Sequence, residues 1–145
     1  MSFSRIAILG PGLLGGSVGL AASGAGYEVI LWGRNPERVE LTRKIGLEAT
    51  TDLEVAVKEA DLIILSVPVG VMGLLLESIS GNLKPGAIVT DVGSVKALPH
   101  QVANEHGIPF IGSHPMAGSE KTGIEAARAD LFKRAACALT NDQER

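Results

Sequence analysis

The chain has 145 residues, of which 46% are hydrophobic but only 3% aromatic, and its formal net charge is −3. That length suits one domain able to bury about two-thirds of the surface an unfolded chain exposes, around a mainly aliphatic core. The absence of a basic cluster excludes a nucleic-acid footprint, and the longest apolar stretch, Leu62 to Leu76, is too short to span a bilayer.

Eighteen glycines exceed the average usage of about 7%, and the clear apolar periodicity attributes them to tight turns rather than low complexity. The single cysteine, Cys137, sits in an apolar run and cannot form an internal disulfide. The N-terminus lacks a signal-peptide layout, since Gly10-Pro11-Gly12 breaks its first apolar run. A reducing cytoplasm is the expected setting, with no membrane partner.

In chain order, Arg5 to Gly10 reads as a buried strand and Leu13 to Ser23 as a helix rich in small residues, closed by Gly24 and Gly26. "YEVILWG" is a second strand. Asn35 caps a second helix, with Pro36 at its first position and a body from Glu37 to Ile45. Leu47 to Thr50 reads as a short third strand, followed by Asp52 as a helix cap. The second half repeats the rhythm: strand "DLIILSV", helix Val69 to Ser80, strand "AIVTDV", helix Val95 to His106, strand "IPFIG" and strand "AACALT". Strands apolar along their whole length, alternating with helices, require cover on both faces. The expected fold is α/β: a Rossmann-type, doubly wound, mainly parallel sheet with helices on both faces, residues 1–145 forming one dinucleotide-binding domain.

"GPGLLG" places Gly10, Gly12 and Gly15 in G-x-G-x-x-G spacing, after a strand and at the mouth of a helix. Gly10 permits the turn, Gly12 lets the backbone approach a pyrophosphate, and Gly15 lets helix and strand pack closely. The first-turn N–H groups, from Leu13 onward, then face the anion. Dinucleotide sites that read a ribose hydroxyl carry an acidic residue about 20 residues further on. "WGRNPER" has Arg34 near that place and Arg38 one helical turn later. A guanidinium grips a 2′-phosphate where a carboxylate would repel it, so NADP is expected in preference to NAD. The alternative for Arg34 is a solvated surface residue.

Three segments leave carboxyl ends of second-half strands, where ligands lie in such sheets: "SVPVG" with Val67 and Pro68, "DVGSVK" with Ser94, and "GSHPMAGSE" with His114. These face the nicotinamide end of the cofactor. His114 has two readings: a base beside the hydride-transfer centre, tautomer held by Ser94, or a loop histidine bonding backbone. No spacing of histidine, cysteine or carboxylate suggests a metal site.

"GPGLLGGSVGLA", "SVPV", "DVGSVK" and "GSHPMAGSEKTGIEAARADLF", in that order, resemble the nucleotide-binding domain of prephenate and arogenate (cyclohexadienyl) dehydrogenases. The resemblance runs from the first strand to about Thr140, and "HPMAGSE" with the upstream "GSVK" is its specific part. It implies an oxidoreductase of aromatic amino acid biosynthesis, on the route to tyrosine. The reaction is the NAD(P)-dependent oxidative decarboxylation of prephenate or arogenate, in which C4 gives up hydride, C1 loses CO₂ and the ring becomes aromatic. His114 matches the histidine that accepts a hydrogen bond from the ring hydroxyl. Ser94 matches the serine that orients histidine and nicotinamide. Ser119 and Glu120 match substrate-side positions.

Members of that family carry a C-terminal helical domain that forms a homodimer and contributes an arginine to the substrate carboxylate. This sequence ends at "TNDQER", before such a region, so the chain alone is expected to bind NADP but to turn substrate over weakly or not at all. Two other readings are another NADP-dependent dehydrogenase of similar architecture, which would lack "HPMAGSE", and a non-catalytic dinucleotide-sensing module, which would not need Ser94 and His114.

Overall fold

Side chains on the first, second and fourth strands alternate between two separate apolar layers, and that alternation sets the architecture. In β1 (Arg5–Leu9), Ala7 and Leu9 join one buried cluster while Ile6 and Ile8 join the other. β2 (Glu28–Trp32) divides in the same way, as does β4 (Leu62–Leu65). A strand buried on both faces has no polar side to present to water, which explains why β1 and β2 are apolar after their first residue and β4 is apolar along its length.

The computed structural model describes residues 4–92, 102–115, 124, 127–129 and 137–139. Between the strands named above lie α1 (Leu13–Gly24), α2 (Pro36–Lys44), β3 (Glu48–Thr50) and α3 (Leu53–Val57). After β4 come α4 (Val69–Ile79), β5 (Ile88–Asp91), β6 (Phe110–Pro115) and β7 (Cys137–Leu139). Residues 102–105 form a further helical turn; of the helix expected over Val95 to His106, residues 95–101 lie outside the described residues and His106 is in the turn that follows. No helix among the described residues is long and apolar enough to cross a membrane.

The seven strands are ordered β3-β2-β1-β4-β5-β6-β7, with β1 to β6 parallel. One layer packs Met72, Leu75, Leu76 and Ile79 of α4 and Ala56 and Val57 of α3 against the sheet. The opposite layer packs Val18, Leu20 and Ala22 of α1 and Val39 of α2. This is the doubly wound α/β fold expected above, and its strand order reverses direction between β1 and β4.

The helix starts follow local rules. Glu37 N–H donates to Asn35 Oδ1 at 2.8 Å with Pro36 at the first helical position, and Val55 N–H donates to Asp52 Oδ1 at 3.2 Å. Each cap satisfies an otherwise unpaired donor and is worth about 1 kcal/mol.

The structure corrects one expectation. "GSHP" is not a loop beyond the sixth strand: β6 continues through Ser113 and His114 to Pro115. β7 supplies the partner, pairing antiparallel as Ser113 with Leu139, His114 with Ala138 and Pro115 with Cys137. β5 reaches only as far as Gly112, opposite Asp91, so the last three residues of β6 have β7 as their one ladder partner among the described residues. A proline is tolerated there because a strand margin does not need its missing N–H.

Candidate functional site

The carboxyl ends of β1, β2 and β4 meet around the glycine loop. Gly10 N–H donates to the Trp32 carbonyl at 2.8 Å, Ser66 N–H to the Leu9 carbonyl at 2.8 Å, and Gly33 N–H to the Thr50 carbonyl at 3.2 Å. Gly10 has φ +121°, and a Cβ there would run into the Ser66 carbonyl and stand 2.8 Å from Val67 Cγ1. Only glycine meets both demands. A Cβ on Gly15 would collide with the Gly10 carbonyl, so α1 is seated directly on the loop.

Gly12 differs from both. Its φ of −150° is open to any residue, and a Cβ would meet nothing within 4 Å among the described residues. Packing among the described residues does not explain its missing side chain; the space they leave open ahead of α1 does. The first intrahelical bond described runs from Gly16 N–H to the Gly12 carbonyl at 2.9 Å, ahead of which stand the N–H groups of Leu13, Leu14 and Gly15. The helix has neither a side-chain cap nor an acidic residue in its first turn. Unshared N–H groups on the positive end of a helix dipole, with room in front, form an anion cradle.

Beside this cradle lies a cavity of about 490 Å³, bounded by the loops after β1, β2 and β4 and by one side of α4. Gly10, Arg34, Arg38, Val67 and Pro68 line it, as the sequence suggested. Gly12, Leu13, Leu14 and Gly15 do not line it; they form the start of α1 next to it. Arg34 and Arg38 are exposed, neither has an ion-pair partner among the described residues, and no carboxylate there lines the cavity. Two guanidiniums with no carboxylate opposing them among the described residues suit a dianionic group.

Sequence reasoning missed the apolar wall. Leu53, Val71, Leu74 and Leu75 line the cavity, and Leu74 is 66% exposed. In sequence they are indistinguishable from core positions of helices, since periodicity shows which residues are apolar but not what they face. Trp32 also lines the cavity and donates its indole N–H to the Thr51 carbonyl at 3.0 Å, tying the end of β2 to the segment that leads to Leu53.

His114 is at the carboxyl end of β6, opposite Ala138; its side chain is outside the described residues. Ser94, Ser119 and Glu120 also lie outside them. The register sets Asp91, three residues before Ser94, opposite Gly112, two residues before His114.

A doubly wound sheet with a glycine loop and anion cradle at its switch point defines a dinucleotide-binding α/β domain. The family model for the prephenate dehydrogenase nucleotide-binding domain matches residues 18–145, and the chain belongs to that family. The match begins after the glycine loop, so it does not depend on the loop's spacing.

Prephenate dehydrogenase of Lactococcus lactis subsp. cremoris is 39% identical over 147 residues, covering 97% of this chain and 42% of that protein. Cyclohexadienyl dehydrogenase of Zymomonas mobilis subsp. mobilis is 36% identical over 149 residues, covering 97% and 50% respectively. Among solved structures, prephenate dehydrogenase from A. aeolicus in complex with hydroxyphenyl propionate and NAD+ is similar with a TM-score of 0.89 at 31% identity. The match covers 99% of this chain and 52% of that one. Synechocystis arogenate dehydrogenase has a TM-score of 0.88 at 33% identity, covering 97% and 52%. The chain thus spans about half the length of these relatives.

Proposed function

We propose that this domain binds NAD(P), with NADP preferred, and carries the catalytic histidine for the oxidative decarboxylation of prephenate or arogenate. The observation that carries the cofactor reading is the cavity itself. An anion cradle at Leu13 to Gly15 stands beside Arg34 and Arg38, which among the described residues have neither an ion-pair partner nor an opposing carboxylate. In this reading the pyrophosphate takes the open space before Gly12, and the arginines hold the 2′-phosphate. Leu53, Val71 and Leu74 cover the apolar faces of the adenosine.

The bound dinucleotide would supply a hydride acceptor. The residues of the chain do the rest. His114, as neutral imidazole, accepts a hydrogen bond from the ring hydroxyl and draws electron density onto the carbon that loses hydride. The carboxylate departs as CO₂, and the hydroxyl keeps its proton in the phenolic product. Ser94 orients the imidazole and the nicotinamide, and Ser119 and Glu120 contact the substrate. Support for these roles is the family membership together with the β5–β6 register that sets Asp91 opposite Gly112.

The same reading extends to a homodimer formed through a C-terminal helical domain and to tyrosine biosynthesis in the cytoplasm. It draws on relatives about twice as long as the span they share with this chain. Fluorescence titration with NADPH and NADH, followed by turnover of prephenate and arogenate by the complete protein, tests the proposal. Tighter NADPH binding and production of reduced cofactor with either substrate are expected. Failure to bind either dinucleotide would refute it.

A further inference from the structure

Gly33 is the first residue beyond β2, and it is buried at the carboxyl edge of the sheet. A Cβ on Gly33 would stand 2.7 Å from Pro11 Cγ and 2.9 Å from Pro11 Cδ, with Val39 Cγ2 at 3.5 Å. Nonbonded carbons settle at about 3.5–4.0 Å, so any side chain at position 33 must displace the proline ring. That ring has little freedom, because it locks its own φ. It is also held between Gly10, pressed against the Ser66 carbonyl, and Gly12, which opens α1. On the other side, Gly33 N–H is bonded to the Thr50 carbonyl. Pro11 and Gly33 both line the cavity.

The direction of that absent side chain matters. In doubly wound domains that recognise a ribose 2′-hydroxyl, an acidic residue about 20 positions beyond the glycine loop reaches back to the sugar. Position 33 directs its Cβ at the glycine loop. It, rather than position 34, is where such a carboxylate would have to stand.

We propose that Pro11 and Gly33 form a steric interlock which bars a ribose-binding carboxylate from the end of β2, making Pro11 a determinant of cofactor specificity. This rests on the dinucleotide reading above. Replacing Gly33 by aspartate would then not create an NAD site, because the new side chain would push the glycine loop off the pyrophosphate. The exchange requires Pro11 to shrink at the same time. Alanine at position 11 removes both atoms that Gly33 would strike and leaves the loop backbone in place.

The test has two independent readouts. Thermal unfolding of Gly33→Ala, Pro11→Ala and the double variant reads the interlock without any nucleotide. Gly33→Ala is expected to lower Tm by about 5 °C, with most of the loss absent when Pro11→Ala accompanies it. Titration with NADH and NADPH then compares the wild type, Gly33→Asp and Pro11→Ala/Gly33→Asp. Gly33→Asp alone should weaken NADPH at least tenfold without improving NADH, and the double variant should bind NADH at least tenfold more tightly than Gly33→Asp. Additive Tm losses, or an equal NADH gain in Gly33→Asp alone, overturn the interlock. A non-additive Tm cycle without an NADH gain in the double variant overturns the specificity role. A wild-type chain that binds neither dinucleotide overturns the underlying reading and the specificity role together.

Discussion

The carboxylate of Asp61 is ion-paired with the ammonium of Lys84 at the amino-terminal edge of the sheet, the edge opposite the cavity. The same carboxylate accepts hydrogen bonds from the backbone N–H groups of Ser4 at 2.9 Å and Arg5 at 3.0 Å, and from the Ser4 hydroxyl at 3.2 Å. It therefore ties the starts of β1 and β4 to the segment leading into β5. Lys84 contributes most to holding the Asp61 carboxyl well below the usual carboxylate range. The two backbone donors and the Ser4 hydroxyl add to it, and burial opposes them.

Because the folded-state pKa is depressed, the stabilisation is complete above the unfolded value of about 3.8 and fades as pH falls through the folded one. Asp61→Asn should lower Tm at neutral pH, and its deficit against wild type should shrink from about pH 4 downward. Thermal scans at neutral pH and at steps into the acid range check this. A deficit that stays constant into strong acid would show that the charge is not what matters.

The glycine loop separates folding from binding. Gly10→Ala forces a Cβ into the Ser66 carbonyl at a positive φ and should cost about 2–4 kcal/mol in urea unfolding. Gly12→Ala should change stability by no more than about 1 kcal/mol. It should nonetheless weaken NADPH at least tenfold if the pyrophosphate takes the space proposed for it, because the methyl group enters that space. Equal effects of the two substitutions on stability would remove the distinction.

Arg34 and Arg38 should each be worth about tenfold in NADPH affinity and less than about twofold in NADH affinity. Titrating Arg34→Ala and Arg38→Ala with both cofactors measures the contrast. The preference for NADPH should also weaken as salt rises, since both side chains are solvent-exposed. An unaltered NADPH:NADH ratio in the double variant would leave the arginines as ordinary surface residues.

His114→Asn in the complete protein should reduce turnover by about 10²–10⁴-fold while leaving NADPH affinity nearly unchanged. Wild-type activity should fall on the acid side as the imidazole takes up a proton, because imidazolium can only donate. That acid limb should vanish in the variant. A pH profile of the same shape in both proteins would assign the limb to another group.

Much of the fold was legible because its signals are local. Asn35, Pro36 and Asp52 mark helix starts through bonds that span two or three residues, and the structure shows those bonds. The uninterrupted apolar runs of β1, β2 and β4 imply cover on both faces before any partner strand is known. His114 shows where such reading stops. Its segment is rich in glycine and proline and looks like a loop, yet it is strand, because β7 returns from far along the chain to pair with it.

The sequence alone determined the order of elements, the doubly wound class and the family to which the chain belongs, since periodicity, caps and motifs are written in neighbouring residues. Tertiary structure alone decided which side of α4 faces the cavity and that β6 runs on through His114. It also decided that Gly33 abuts Pro11 while a Cβ on Gly12 would meet none of the described residues. The reason is physical: those facts concern the space between segments far apart in the chain, and that space exists only after the strands have closed into one sheet.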